Sequence, residues 1–340
     1  MGNWAGCFIV AAGLAAALVP AAAQTRAETD PLARVPDLRA AMPAPDSDSG
    51  SRVIGGLEAE QGAWPFQVAL LAAGNLTGDP MSQYYSQFCG GSLISARWVL
   101  TAAHCLVDSD TVAYPPQNVT VLVGATDLRE GIRVPAAEFH VHEGYNPVTL
   151  ENDIALIRLA DAAGADTVPY ARTPQSPESG EAVVVGWGLT NEGFAPVRLL
   201  EGHIGLYPNA TCNQGIKGYY RAGIEMTINQ LAPYVRLSPA AITGAMDVID
   251  DGLGDPVTDV MVCAGTPSGE ISSCNGDSGG PLVVMDGQGR PTQIGVVSWG
   301  AGPLNAESMC GHENAYAVYT RVGAFAEWIG ERVKERGTLR

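Results

Sequence analysis

From Val53 onward the chain runs in short apolar segments rich in Val, Leu and Ile, broken by clusters of Gly, Pro and Asn. The clearest are 66–71, 119–123, 154–159, 183–185, 282–285 and 294–298. Segments this short, β-branched and bounded by turn residues predict many short strands and an all-β body. The end of the chain changes period. Val322, Phe325, Ile329 and Val333 recur at three- and four-residue spacing, with Glu327, Glu331, Lys334 and Glu335 elsewhere, which predicts a C-terminal amphipathic helix packed against a barrel. A Pro- and Ser-rich stretch over 169–180 separates two halves of similar size, so the expected organisation is two antiparallel β-barrels, 53–168 and 169–340.

The first 52 residues follow neither pattern. An uninterrupted small and apolar run from Phe8 to Val19, followed by Pro20-Ala21-Ala22-Ala23, reads as a secretory leader over 1–23 cut before Gln24, although Met1 to Cys7 contains no Lys or Arg. Residues 24–52 hold Pro31, Pro36, Pro43 and Pro45 and an Asp46-Ser47-Asp48-Ser49-Gly50 run, and are expected to be a flexible pro-segment. That segment ends at Arg52, a cleavage point for a protease specific for basic residues.

The 340 residues are long enough for two cores, and 46% hydrophobic content is ordinary for a soluble globular chain. The formal charge of -17 repels nucleic acid and fits solubility outside the cytoplasm. Beyond Cys7 there are six cysteines, Cys89, Cys105, Cys212, Cys263, Cys274 and Cys310. An even number in an exported chain implies disulfides, with fifteen pairings open to arithmetic alone. Only Cys105 adjoins a histidine and no C-x-x-C occurs, so no metal site and no cofactor are expected.

The chemistry lies in three strings. Cys274-Asn275-Gly276-Asp277-Ser278-Gly279-Gly280-Pro281-Leu282 places a serine among glycines beside a carboxylate. A nucleophilic serine needs a base, backbone donors for the oxyanion and room for a carbonyl to approach. Thr101-Ala102-Ala103-His104-Cys105 offers the base, and Asn152-Asp153-Ile154-Ala155-Leu156 the acid that orients it.

In that order, His104, Asp153 and Ser278 resemble the trypsin/chymotrypsin family of serine endopeptidases. The resemblance extends to Arg52-Val53-Ile54-Gly55-Gly56, Cys89-Gly90-Gly91-Ser92-Leu93-Ile94, Gly186-Trp187-Gly188 and Ser298-Trp299-Gly300, and so covers Val53 to the C-terminus. It implies six-stranded barrels, a His104/Asp153/Ser278 triad, an oxyanion hole from the N–H groups of Gly276 and Ser278, and activation by cutting after Arg52 so that the new Val53 ammonium pairs with Asp277. It also implies the disulfides Cys89–Cys105, Cys212–Cys263 and Cys274–Cys310. The substrate pocket would be formed by Ser272 at its base, with Ser273, Asn275, Ser298, Trp299, Gly300 and Ala317, and Leu150 would line a neighbouring apolar subsite. Serine rather than aspartate at the base, and Ala317 where open pockets carry glycine, imply cleavage after large apolar residues. The implied partners are protein or peptide substrates, an activating trypsin-like protease and protein inhibitors, with no membrane contact in the mature form.

Two stretches depart from a minimal member. Residues 72–88 lengthen a hairpin expected at the edge of the cleft, and 213–262 replace a short helix with a longer insertion. Within it, Ser238-Pro239 reads as an N-cap followed by proline at the first helical position. Its acidic tail, Asp247 to Asp259, matches no EF-hand spacing and is expected to be solvated. Two rival functions remain open: a catalytically silent binding protein on the same fold, and an esterase using the same acyl-enzyme chemistry.

Overall fold

The computed structural model describes residues 30–42, 56–175, 177–190, 195–301, 310–314 and 316–334. The expected leader over 1–23 and the Arg52–Val53 junction lie outside the described residues.

Strands β1 (Leu57–Glu58), β2 (Gln67–Ala72), β3 (Gln87–Ser95), β4 (Trp98–Thr101), β5 (Val119–Val123), β6 (Ile132–Val141) and β7 (Ala155–Leu159) precede the interbarrel stretch. The last six close a barrel in the order β2-β3-β4-β7-β6-β5. Strands β8 (Gly180–Gly186), β9 (Leu200–Tyr207), β10 (Met261–Gly265), β11 (Pro281–Met285), β12 (Pro291–Gly300) and β13 (Ala317–Arg321) follow. They close a second six-stranded barrel because β8 pairs with both β9 and β11. All pairings between these strands are antiparallel, and the two-barrel expectation is borne out. Strand β1 leaves the first half and pairs with β9, Leu57 opposite Glu201. The β2 segment is buried along its whole length, which explains why Val68-Ala69-Leu70-Leu71-Ala72 reads as a continuous apolar run rather than an alternation.

The C-terminal pattern resolves into a 3-10 turn over Val322–Phe325 and the helix Ala326–Val333. Val322, Phe325 and Ile329 join the core of the first barrel, although they follow the last strand of the second. Trp328 Nε1 donates to Glu143 Oε2 at 3.0 Å, fastening the helix there.

The two departures are helical. Met81–Ser86 forms a helix in the connection of the β2–β3 hairpin, with Ser82, Gln83, Tyr84 and Ser86 buried; Tyr84 donates to the Ala195 carbonyl at 3.2 Å. The insertion is a hairpin of Asn209–Val235 and Pro239–Gly252. Ser238 caps the second helix, its Oγ accepting from Ala241 N at 3.2 Å, and Pro239 stands at the first helical position, as its sequence predicts. The long first helix begins four residues before the expected insertion boundary. Its Cys212 is bonded to Cys263 on β10, closing a loop of 51 residues, a constraint on the unfolded chain of about 4 kcal/mol in the loop-entropy account. Acidic residues of the tail serve as ion-pair partners: Asp250 meets Arg221 at 2.8 Å and Asp255 meets Lys217 at 2.6 Å.

A helix within the pro-segment was not expected. Residues 24–52 read as flexible, yet Pro31–Ala41 forms a helix, here α1. Asp30 caps it, its Oδ1 accepting from Leu32 N at 3.0 Å and from the Tyr114 hydroxyl at 2.6 Å. Its buried residues are Val35, Pro36 and Arg39. An apolar stripe is absent because an arginine and a proline occupy the buried face, and tertiary packing supplies what the local pattern lacks.

Candidate active site

His104 sits in a one-turn 3-10 helix, Ala103–Cys105, directly after β4. The Cys89–Cys105 disulfide ties this turn to β3. Asp153 precedes β7, which pairs with β4. The register sets Thr101 opposite Ala155, so the residues just beyond these two strand ends meet. Asp153 is fully buried; His104 is partly exposed. Asp153 Oδ2 accepts from His104 Nδ1 at 2.7 Å, and Oδ1 accepts from the His104 backbone N–H at 2.9 Å. Burial works against the charged imidazole, but the Asp153 charge and hydrogen bond outweigh it and hold His104 above its ordinary value. Burial likewise penalises ionised Asp153, and the bonds from His104 and Ser298 overcome it, leaving the carboxyl below the usual range.

Ser278 lies in a tight turn before β11. Asp277 N donates to the Cys274 carbonyl, Gly280 N to the Asp277 carbonyl and Gly279 N to the Val297 carbonyl, at 2.9, 2.8 and 2.8 Å. Gly90 N donates to the Ser278 carbonyl at 2.7 Å, joining the turn to β3. Gly279 has φ +81°, and a Cβ there would overlap Thr101 Oγ1 and the Gly90 carbonyl, so no larger residue fits. The cleft between the barrels is thereby spanned at one point by backbone bonds. His104 and Ser278 line the same cavities, but no hydrogen bond joins the two side chains among the described residues.

One cavity, about 440 Å³, extends from His104 and Ser278 over Ser272, Ser273, Asn275, Ser298, Trp299, Gly300 and Leu150. These expected pocket residues are brought together. Ala317 is not among the lining residues; it lies buried on β13, paired with Gly300. A second cavity, about 330 Å³, lies on the other side of the same pair, lined by Phe88, Cys89, Val107, Tyr145 and Gly276 and by Pro31, Arg34 and Val35 of α1. Cys274–Cys310 is bonded beside the first cavity.

Asp277 is enclosed by the Gly186-Trp187-Gly188 string. A Cβ on either glycine would overlap its carboxylate. It accepts from Gly188 N at 2.7 Å and Cys274 N at 2.9 Å. Desolvation still pushes its carboxyl up to about 6, against these bonds and the nearby charge of Arg39. A small cavity lies against it, bounded by Val184, Leu189, Leu200 and Ile271 among others.

Cys89, His104 and Cys105 are the one grouping of metal-ligand closeness among the described residues, and its sulfurs are joined to each other in the disulfide rather than available as thiolates. The Asn209 amide, in an Asn-x-Thr string, donates to the Thr258 and Met261 carbonyls at 2.8 and 3.2 Å. Sequence reasoning missed Arg34, Val35, Arg39 and Gln87 near the site. An arginine destined for burial carries no local signal, since Arg is ordinarily exposed.

Two barrels meeting at a histidine–aspartate pair beside a glycine-bound serine make this cleft a candidate site of the serine-hydrolase type. The chain belongs to the trypsin family, whose sequence model matches residues 53–329. It is 30% identical over 288 residues to human transmembrane protease serine 11B, covering 83% of this chain and 55% of that protein. It is 32% identical over 296 residues to human serine protease 56 (83% and 39%) and 31% identical over 294 residues to the bovine suppressor of tumorigenicity 14 protein homolog (83% and 28%). The chain thus spans about half the length of the first of these relatives and less of the others. Among the described residues no helix is long and apolar enough to cross a membrane.

Proposed function

We propose that the chain is a secreted serine endopeptidase made as a zymogen. The observation that carries this is the Asp153–His104 pair, bonded at 2.7 Å, opening on a cleft that also holds Ser278. Ser278 Oγ attacks a peptide carbonyl while His104 Nε2 takes its proton and later returns it to the leaving amine; Asp153 keeps Nδ1 protonated and stabilises the imidazolium. The N–H groups of Gly276 and Ser278 receive the oxyanion, each such donor being worth roughly 3 to 4 kcal/mol in related hydrolases.

Activation follows cutting after Arg52. The Val53 ammonium pairs with Asp277, which borders a small cavity lined by Val184, Leu189, Leu200, Glu201 and Ile271. A partly charged carboxylate with a raised pKa and no ion pair within the described residues is the acceptor such an ammonium requires. Three disulfides and the apolar leader support export to an extracellular or periplasmic space. Ser272 at the pocket base, with no carboxylate among the cavity's lining residues, favours large apolar side chains over Arg or Lys. The partners are protein substrates, a trypsin-like activator and protein inhibitors.

The test is fluorophosphonate labelling and a peptide-library cleavage profile before and after trypsin treatment, with Ser278→Ala and Arg52→Gln controls. Labelling of Ser278 and cleavage after Leu, Met, Phe or Tyr only once Val53 is the N-terminus is the expected result. A cut, folded chain that neither labels nor cleaves is a binding protein; one that hydrolyses esters but no peptides is an esterase.

A further inference from the structure

Helix α1 lies along the cleft beside His104 and Ser278, Arg34 lining both cavities. Pro31, Arg34 and Val35 wall the second cavity with His104, Ser278 and Gly276. Val35 Cγ1 is 3.6 Å from where a Cβ on Gly276 would stand. Arg39, one turn on and on the same helix face, is fully buried. Its Nη2 donates to Gln87 Oε1 and to the Trp187 carbonyl. Gln87 Nε2 in turn donates to the Gly276 carbonyl at 2.8 Å. The guanidinium also stands 5.0 Å from the Tyr84 ring centroid, and its charge acts on Asp277. The helix therefore reaches Gly276 twice, through Val35 and through the Arg39–Gln87 relay.

A buried guanidinium is costly unless its donors and charge are met. A helix that merely covered the surface would turn such a side chain outward and keep its head in water. Here the hydrogen-bonding is incomplete, since Nε and Nη1 have no partner among the described residues. The arrangement suits a segment that must later leave.

Given the endopeptidase reading above, we infer that the segment carrying α1 is an internal inhibitor: it fills the leaving-group side of the cleft, latched by Arg39 in a pocket of Gln87, Tyr84 and the Trp187 carbonyl. A peptide whose side chain enters the Ser272 cavity must pass Ser278 and continue into the space α1 occupies. Residues 24–52 contain no cysteine, so cutting after Arg52 leaves the segment held by contacts alone. Tethered, it acts at an effective concentration on the order of millimolar; once cut it is diluted, and its departure completes activation.

Two measurements test this. Hydrogen exchange on the uncleaved full chain compares wild type with Arg39→Gln and Arg39→Lys. Exchange over 30–42 should rise at least tenfold in Arg39→Gln, with a smaller rise around Gly276 and none in the barrel strands. Lysine, with one point charge in place of a planar fork, should rescue only in part. Second, a synthetic 24–52 peptide is added to cleaved protein freed of its own segment, following hydrolysis and, with a fluorescein label, binding anisotropy. The wild-type peptide should bind and slow turnover, and the R39Q peptide should need at least ten times the concentration. Unchanged exchange over 30–42 in Arg39→Gln, or equal behaviour of the two peptides, would overturn the latch. Arg39-dependent exchange and binding on a cleaved protein without turnover would instead remove the enzymatic reading and leave the docking of α1 standing.

Discussion

The Ser298 hydroxyl donates to Asp153 Oδ2 at 2.5 Å, joining β12 of the second barrel to a carboxylate that belongs to the first. Thr320 on β13 donates to the Asp153 carbonyl at 2.7 Å. With the two bonds from His104, the acid is held from both sides of the cleft, which fixes the ring it orients. Ser298→Ala removes one hydrogen bond to a buried charge, worth about 1.5 to 3 kcal/mol. The expected outcome is a lower melting temperature, a rise in the Asp153 pKa and a fall of about tenfold in kcat with KM little changed. Steady-state kinetics beside thermal unfolding would check it.

Protonation of His104 should set the acid limb of activity. Hydrolysis needs the neutral imidazole, and the Asp153 pair holds His104 above 6.5. The limb of kcat/KM should therefore lie above 6.5, with rate lost as pH falls through the raised value. Asp153→Asn removes the charge that raises it, so the limb should move down while kcat drops by orders of magnitude through the wrong tautomer. A pH–rate profile of the cleaved enzyme and the variant reads both; a limb at or below 6.5 in wild type would contradict the pairing.

Asp277 should make the uncleaved chain less stable toward neutral pH. Its carboxyl is raised to about 6 in the fold, from about 3.9 unfolded. Its contribution is fully present below about pH 4 and is lost as pH rises through about 6, a difference of roughly 2 kcal/mol once residual solvent contact is allowed for. Thermal unfolding between pH 4 and 7 should show that slope in wild type and lose it in Asp277→Asn. Cutting after Arg52 should also reduce it, because the Val53 ammonium favours the ionised form.

Pocket preference rests on Ser272. Replacing it by Asp puts a carboxylate among the residues that line the 440 Å³ cavity. Ser272→Asp should raise kcat/KM for Arg and Lys substrates about tenfold or more while lowering it for Phe and Leu, without a full exchange of specificity. Wild-type enzyme cutting faster after Arg than after Phe or Leu would show that Ser272 does not sit where the side chain binds.

Much of this was written locally. Short β-branched runs, the Ser238-Pro239 start, the C-terminal period and the strings around His104, Asp153 and Ser278 are near-neighbour patterns, and strand periodicity, capping and the chemistry of a glycine-bound serine depend on near neighbours. They sufficed for an all-β body of two barrels and for the residues of the candidate site. The sequence also carried the three cysteine pairs, though only through family resemblance.

Other features exist only in three dimensions. Ser298 reaches Asp153 across 145 positions, Gln87 reaches Gly276 across 189, and Arg39 reaches the Trp187 carbonyl across 148. Nothing in the spacing of Val35, Pro36 and Arg39 announces that α1 buries them, because the partners that repay the desolvation of Arg39 come from β3 and from the loop after β8. The sequence by itself determined which elements form and which groups react. Tertiary packing decided that His104 and Ser298 share the Asp153 carboxylate and that Arg39 is buried, since a buried charge is settled by its whole surroundings and not by its neighbours in the chain.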